Sequence, residues 1–288
     1  MKPWQSLTQA LGRWPARRVT WLLALVFSLW AVADGFVLQV SSGLSRSTYD
    51  AMVRARLYAA PPDTRIVIVD IDEASLARMG AEFGRWPWPR DTLATVLDFI
   101  EQQSPAAIAW DIGFSDADKL SPGGDKAFDE AAKRSVHSVF SVVRLPAAND
   151  AQSQLARSSL PGLWLPPAPT RHATLTLTLA AIPPVLPALA AGPLGLNNGT
   201  PDADGVLRRY RYAEPLADGS AIQSLALAVA RLVNGEVSLA AGATKKIAAN
   251  AQNTGLVGVF GYEHGLLAWR AKADMYPRVP FADVFAKA

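Results

Sequence analysis

The sequence predicts an α/β domain with a mixed or mainly parallel sheet and flanking helices, preceded by one N-terminal transmembrane helix. Three observations support this prediction: a charge-free apolar run near the N-terminus, apolar β-branched runs of strand length, and helical periodicity between those runs. Of the 288 residues, 50% are hydrophobic, which provides enough apolar surface for a substantial core.

The N-terminal apolar segment comes first in the chain. Residues 19–33 contain neither charge nor proline, and apolar residues resume over 36–40. Four of the 28 Lys and Arg residues precede this segment, whereas all 25 acidic residues lie at or beyond Asp34. This bias predicts that the N-terminus stays inside the cell and that the rest of the chain lies outside. Ala31-Val32-Ala33 also has the pattern of a cleavage site, so a removed signal peptide is the alternative.

These observations divide the chain into three segments. We expect a basic cytoplasmic N-terminus over 1–18, a transmembrane anchor over 19–40, and an extracytoplasmic domain over 41–288. The predicted location is the cell inner membrane, crossed once, with the domain in the periplasm and the lipid bilayer as a partner.

Composition excludes several classes of site. The chain has no cysteine, so disulfides, thiolate metal sites and cysteine nucleophiles are excluded. Beyond the anchor the charges nearly balance, which argues against a nucleic-acid-binding surface. We predict no metal, no cofactor and no nucleic-acid partner.

Strands and helices alternate after the anchor. Residues 66–71 are apolar and β-branched on both faces, which is typical of a strand covered by helices. A helical pattern begins at Asp91, and residues 107–112 form a second buried apolar run. We expect a right-handed βαβ unit with parallel strands. A helix over 125–135 and a third strand over 138–145 extend this pattern.

The patterns in the second half are weaker. Residues 145–169 lack periodicity and predict a long surface loop. Residues 180–196 are apolar but contain four prolines, which excludes a second membrane helix. The composition of residues 201–205 is typical of a turn. The other predicted elements are strands over 174–179 and 206–212, a helix over 222–233 that ends near Asn234-Gly235, and a hairpin over 256–269.

Three carboxylates follow the first two predicted strands. Asp70 and Asp72 share one face at the end of the first strand, and Asp111 ends the second. Ligands of open α/β sheets bind beyond the carboxyl ends of the strands, so these side chains are candidates for contact with a polar ligand or a hard cation. The alternative is that they cap helices and close turns.

A Trp-Pro-Trp-Pro-Arg run lies between the two strands. Trp86, Trp88 and Arg90 are candidates for a ligand-facing loop, since two indoles beside a cation offer a stiff contact surface. The alternative is a lid that packs the start of the next helix onto the sheet. The candidate ligand-binding residues are therefore Asp70, Asp72, Trp86, Trp88, Arg90 and Asp111, and no catalytic residue is predicted.

Five runs occur in one characteristic order: Tyr49–Arg56, Ile66–Leu76, Trp86–Asp91, Ala107–Phe114 and Pro201–Arg209. This ordered set resembles the CHASE2 domain of bacterial membrane receptors. The resemblance spans Thr48 to Phe285. It implies an extracytoplasmic sensor followed by further membrane helices and then a histidine kinase, nucleotide cyclase, diguanylate cyclase or serine/threonine kinase. Family members generally continue into a last strand, so we expect this domain to be truncated at its C-terminus.

The expected function is a membrane-anchored sensory domain that binds an unknown extracytoplasmic small molecule or protein, and that passes the signal to an output domain absent from this chain. A homodimer is a possible assembly. The alternative is a cell-envelope protein-binding or scaffold module that uses the 145–169 loop and exposed aromatic residues. A phosphatase of the haloacid-dehalogenase type, with Asp70 as nucleophile and Asp72 as acid/base, is less favoured. Ala74 replaces its expected Thr or Val, and the sequence shows no convincing partner lysine followed by paired aspartates. Since we also expect the output kinase or cyclase domain to be absent from this chain, no enzyme is predicted.

Overall fold

The computed structural model describes residues 16–34, 40–55, 63–119, 121–165, 178–216, 220–235, 264–267 and 276–288. The chain divides into two units, Met1–Pro61 with Ala268–Ala273, and Pro62–Leu267 with Asp274–Ala288. The first unit contains helices α1 (Ala16–Ala33) and α2 (Val40–Arg54).

Helix α1 is formed by the charge-free apolar run and carries its side chains on the surface. Every side chain from Trp21 to Val32 is exposed. Helix α1 ends at Ala33 and α2 begins at Val40, and residues 35–39 of the transmembrane helix predicted over 19–40 lie outside the described residues. Across the described ranges, none of the helices combines the length and apolarity needed to cross a membrane.

The second unit alternates strands and helices. Its first half contains β1 (Ile68–Asp70), α3 (Glu73–Phe83), α4 (Arg90–Gln102), β2 (Ile108–Trp110), α5 (Pro122–Arg134) and β3 (Ser138–Arg144). Two short 3₁₀ helices follow, Ala147–Gln152 and Arg157–Ser159. The second half contains β4 (Trp164–Leu165), β5 (Ala181–Ile182), α6 (Pro187–Ala191), β6 (Leu194–Leu196), β7 (Arg209–Arg211), β8 (Ala213–Pro215), β9 (Ala221–Gln223), α7 (Leu225–Val233), β10 (His264–Leu266), β11 (Arg278–Pro280) and α8 (Phe281–Phe285).

Strand β3 organises the largest sheet. It pairs in parallel with β2 and β6 and antiparallel with β5. Strand β1 pairs in parallel with β11, β7 pairs antiparallel with β10, and β9 lies between β4 and β8. The structure is therefore mixed α/β, as predicted. The predicted pairing within one βαβ unit is wrong for the described strands, because β1 hydrogen-bonds to β11 whereas β2 hydrogen-bonds to β3.

The core lies between β2, β3 and the helices α4 and α5. Leu93, Val96 and Leu97 of α4 are buried, which confirms the helical pattern that begins at Asp91. Trp110 and Phe140 stack with ring centroids 5.9 Å apart, and both also contact Phe114 and Phe128. This aromatic cluster holds the helices on the sheet.

Strand β1 differs from its prediction. The predicted buried strand over 66–71 is shorter, and Ile66, Val67 and Val69 are 49%, 55% and 36% exposed. Among the described strands, β1 pairs only with β11 and is therefore not a central strand. The exposure of Val67 and Val69 shows that one face of this segment is not covered by helices.

Two predictions in the second half also need correction. The long surface loop predicted over 145–169 is wrong for the part that the structure describes, which ends at Leu165. Leu160 and Leu163 of this segment are buried in the core. The helix predicted over 222–233 begins later, since Ile222 belongs to β9 and Ser224 caps α7. Most of the predicted strand over 174–179 and of the hairpin over 256–269 lies outside the described residues.

Candidate functional site

The carboxyl ends of β3 and β6 meet at one edge of the sheet because the two strands are parallel. Arg144 ends β3, and Asn198 follows β6 by two residues. The backbone N–H of Arg144 donates to Asn198 Oδ1 at 2.7 Å, and Asn198 Nδ2 donates back to the Arg144 carbonyl at 2.9 Å. This reciprocal pair fixes the two strand ends relative to each other.

The guanidinium of Arg144 is buried at this edge, with 4% of its side chain exposed. It donates to both oxygens of Asp150 at 2.7 Å, to Glu214 Oε1 at 3.0 Å and to the Ala180 carbonyl at 2.7 Å. Burial lowers the pKa of Arg144, but hydrogen bonds and charges from Asp150 and Glu214 outweigh burial and raise it. Charge-assisted bonds of this kind orient both carboxylates firmly.

A narrow cleft of about 20 Å³, enough for about one water molecule and partly open to solvent, lies beside the buried cluster of Arg144, Asp150 and Glu214. Six residues line it: Leu196, Asn198, Thr200, Arg211, Glu214 and Ser224. The side chain of Arg211 is 43% exposed, and its Nη1 lies 3.8 Å from Glu214 Oε2, which is longer than a hydrogen bond. The cleft therefore presents one cation, one carboxylate and neutral polar groups.

The start of α7 forms one side of the cleft. Ser224 is the N-cap residue of α7, and its hydroxyl accepts a hydrogen bond from the Leu227 N–H at 3.2 Å. The helix approaches β6 closely because Gly195 has no side chain: a Cβ there would lie 2.4 Å from Leu225 Cα. The positive end of the α7 dipole thus lies at the cleft.

The three predicted carboxylates have individual partners. Asp72 caps α3 by accepting from the Ser75 N–H at 2.8 Å. Hydrogen bonding with the Ser75 side chain and then with its N–H lowers the pKa of Asp72. The capping alternative is therefore confirmed for Asp72. Asp70 forms an ion pair with Arg278. Asp111 is exposed and accepts from Asn197 Nδ2 at 3.1 Å, which places it at the same sheet edge as the cleft.

In the Trp-Pro-Trp-Pro-Arg run, the two indoles make packing contacts within the protein. Trp88 is 2% exposed, contacts Phe281 at 5.4 Å, and donates its indole N–H to the Gly84 carbonyl at 3.2 Å. Trp86 packs edge-on against Trp88 with centroids 5.0 Å apart.

Arg90 ties this run to the start of α5. Its guanidinium pairs with Asp125, donates to the Asp116 carbonyl and lies 5.5 Å from the Phe114 ring centre. A role of Trp86, Trp88 or Arg90 in ligand binding remains a prediction beside these structural contacts.

The predicted turn over 201–205 is confirmed and holds a buried arginine. The Gly205 N–H donates to the Asp202 carbonyl at 2.8 Å. Arg208 donates to Asp202 Oδ2 at 3.1 Å and to Asp204 Oδ1 at 2.8 Å, which lowers the pKa of Asp204 to about 2. Over the described ranges, no group of acidic or histidine side chains has the arrangement of a metal site.

Sequence reasoning missed the cleft, because its residues come from separate strand ends without a fixed spacing. Asn198, Arg211 and Glu214 lie in segments that no motif connects. The sequence contains only a general indication of this site. Polar residues follow directly after an apolar strand, and a Ser further along the chain begins an amphipathic helix.

The fold and the cleft define an α/β domain with a polar recess at the strand ends, where proteins of this class usually hold small polar ligands. The CHASE2 domain family matches residues 19–288, nearly the whole chain. The protein therefore belongs to the CHASE2 family, whose domains are extracytoplasmic sensors and not themselves catalytic. No curated protein and no solved structure matches the chain.

Proposed function

We propose that this protein is the sensory domain of a bacterial membrane receptor, which recognises a small polar stimulus in the cleft beside Arg211 and passes the signal to a cytoplasmic output domain. The observation that supports it most directly is the position of the cleft, at the carboxyl ends of two parallel strands. Membership of a sensor family agrees with this proposal.

Membrane anchoring through the N-terminal segment is part of the proposal. The apolar side chains of α1 are exposed, and the basic residues precede them in the chain. A helix that is apolar all round favours a lipid environment, and the cation bias favours an inside N-terminus. The domain would then lie in the periplasm.

The proposed mechanism is a shift between two arrangements of the cleft elements. A ligand in the cleft contacts β6, β7, β8 and the start of α7 together, so it favours the arrangement that brings those elements closest. A ligand with equal affinity for both arrangements transmits nothing.

The scaffold alternative has less support. The scaffold hypothesis requires exposed aromatic residues and a surface loop over 145–169 as the contact surface for a partner. In the described part of the chain, large exposed aromatic side chains are confined to α1, and Leu160 and Leu163 are buried. The phosphatase alternative also loses support, because Asp70 is paired with Arg278 and Asp72 caps a helix.

Topology fusions and a ligand screen together test the proposal. Two reporters are fused separately after Ala288. Alkaline phosphatase is active only outside the cytoplasm, whereas green fluorescent protein is fluorescent only inside the cytoplasm. We expect active phosphatase in the membrane fraction and a dark fluorescent fusion. The opposite pattern would refute an extracytoplasmic sensor.

The ligand screen measures the melting temperature of the full chain in detergent with small polar compounds. We expect at least one compound to raise the melting temperature of the wild type and of Arg134→Gln, but not of Arg211→Gln. Arg134 is a matched control because it is an exposed arginine whose guanidinium lies 2.7 Å from Asp98 on α4, outside the cleft lining. If no shift depends on Arg211, the cleft is not the sensory site.

A further inference from the structure

We infer that Asn234-Gly235 is a site of spontaneous deamidation, and that the fold protects the same dipeptide at Asn198-Gly199. The sequence contains these two Asn-Gly steps and no others. Because the reacting groups are the same at both positions, a difference in rate reports what the tertiary structure does to each asparagine side chain.

The reaction needs only the chain itself and water. The backbone nitrogen of the glycine attacks the side-chain amide carbon of the asparagine, and a C–N bond forms. Ammonia leaves with the amide nitrogen and the proton of the glycine N–H. The resulting cyclic imide takes up water at either of its carbonyl carbons, which gives aspartate or isoaspartate. Glycine favours the attack because it has no side chain to obstruct the nitrogen and its backbone rotates easily.

The fold holds Asn198 by both polar atoms of its side-chain amide. Its Oδ1 accepts from the Arg144 N–H at 2.7 Å, and its Nδ2 donates to the Arg144 carbonyl at 2.9 Å. These bonds join the end of β3 to the segment after β6, so the amide turns toward the Gly199 nitrogen only when both bonds break. Their combined free energy slows the attack in the folded protein by about tenfold to a hundredfold.

Asn234 lacks this restraint. It is the exposed C-cap residue of α7, and in the described part of the chain its side chain has no hydrogen-bond partner. The Gly235 N–H donates to the Leu232 carbonyl at 3.0 Å, but this bond closes the last turn of the helix, where hydrogen bonds open most readily. Val233 is also exposed, so rotation at Asn234 leaves the core in place.

The product has a different effect at each position. At Asn234 it adds a carboxylate to the C-terminal end of α7, where the helix dipole is negative, so the last turn of the helix loses stability. At Asn198 an oxygen would replace the Nδ2 group that donates to the Arg144 carbonyl, and two acceptors would face each other. Protection of Asn198 therefore preserves the connection between the ends of β3 and β6.

The test follows both sites in one sample. The full chain in detergent is incubated at mildly alkaline pH in water labelled with heavy oxygen, then digested in ordinary water and analysed by mass spectrometry. Deamidation takes its new oxygen from the labelled water, which distinguishes fresh aspartate from aspartate already present. We expect label at Asn234 to accumulate about tenfold to a hundredfold faster than label at Asn198.

Urea separates protection by the fold from the effect of flanking residues. As the unfolded fraction rises, followed by far-UV circular dichroism, we expect the Asn198 rate to rise with it and to approach the Asn234 rate, because unfolding breaks the Arg144 contacts. The Asn234 rate should stay nearly constant. Asn234→Gln is the matched control, since its longer side chain disfavours the cyclic imide. Label in that peptide should disappear, while Asn198 keeps its wild-type rate.

Three results would overturn the inference. Equal labelling of Asn198 and Asn234 in folded protein would refute protection by the Arg144 contacts. An Asn198 rate that does not change across the urea transition would show that the fold is not the cause of slow labelling. An Asn234 rate that rises as steeply with urea as the Asn198 rate would refute the assignment of Asn234 as the unprotected site. The proposed sensory function does not depend on these results, because the topology fusions and the ligand screen test it separately.

Discussion

Replacing Trp88 by Ala distinguishes a structural lid from a ligand-facing loop. Trp88 is almost fully buried, packs against Trp86 and Phe281, and donates a hydrogen bond to the Gly84 carbonyl. A lid residue of this kind stabilises the fold whether or not a ligand is present. A ligand-facing residue would instead change affinity with little change in stability.

The expected magnitude follows from the buried area. An aromatic side chain buries about 150–250 Å², and at about 25 cal/mol per Å² this corresponds to about 4–6 kcal/mol. Because Ala retains the Cβ, Trp88→Ala should lower the free energy of unfolding by about 3–5 kcal/mol. Trp88→Phe keeps most ring contacts but leaves the Gly84 carbonyl without its donor, so we expect a loss of about 1–2 kcal/mol.

The assay is urea unfolding of the full chain in detergent, followed by far-UV circular dichroism. Trp86→Ala is the matched control, because Trp86 lies in the same run but is only half-buried. We expect the control to lose less stability than Trp88→Ala. A loss below about 1 kcal/mol for Trp88→Ala would refute the packing argument, given the costs typical of core aromatic residues.

Two further predictions concern α7 and the start of β3. Gly195→Ala places a Cβ 2.4 Å from Leu225 Cα, so we expect lower stability by about 1–3 kcal/mol or more and weaker ligand binding; an unchanged urea midpoint would contradict the close approach. Burial raises the pKa of Glu101, but hydrogen bonds from Ser135 and His137 outweigh it and lower the pKa below its usual value. Glu101 should therefore stabilise the fold above its unfolded pKa of about 4.3, and that contribution is lost as the pH falls through the folded pKa. Glu101→Gln should be less stable than wild type at pH 7, with a smaller difference near pH 3; a constant difference would contradict this assignment.

Patterns of neighbouring residues predicted the helices, strands and caps that depend on residues close together in the sequence. The repeat of apolar residues after Asp91 located α4 because that helix buries one continuous face on the sheet. The predicted strand over 138–145 agrees closely with β3, which is central and buried on both faces. Asp72 as a cap was also accessible from sequence, since capping depends on residues three positions apart.

Long-range pairing could not be predicted in the same way. Ile68 pairs with Arg278, and no local pattern indicates that two segments so far apart form a parallel pair. The polar cleft also depends on contacts between segments that are distant in the sequence. Asn198 and Glu214 come together only after β3, β6 and β8 are in place. Sequence spacing identifies sites within one turn or loop, whereas this cleft is a product of tertiary structure.

The Arg144 cluster has a consequence for when the binding surface first exists. Arg144 contacts partners 36, 54 and 70 residues further along the chain. Closing such loops costs entropy before any contact compensates for it, so the cluster should form late in folding. A chain still being synthesised lacks the cleft until Ser224, the last of its lining residues in the sequence, has been added. Under the proposed function, a ligand of the cleft would stabilise only chains in which these segments have already come together.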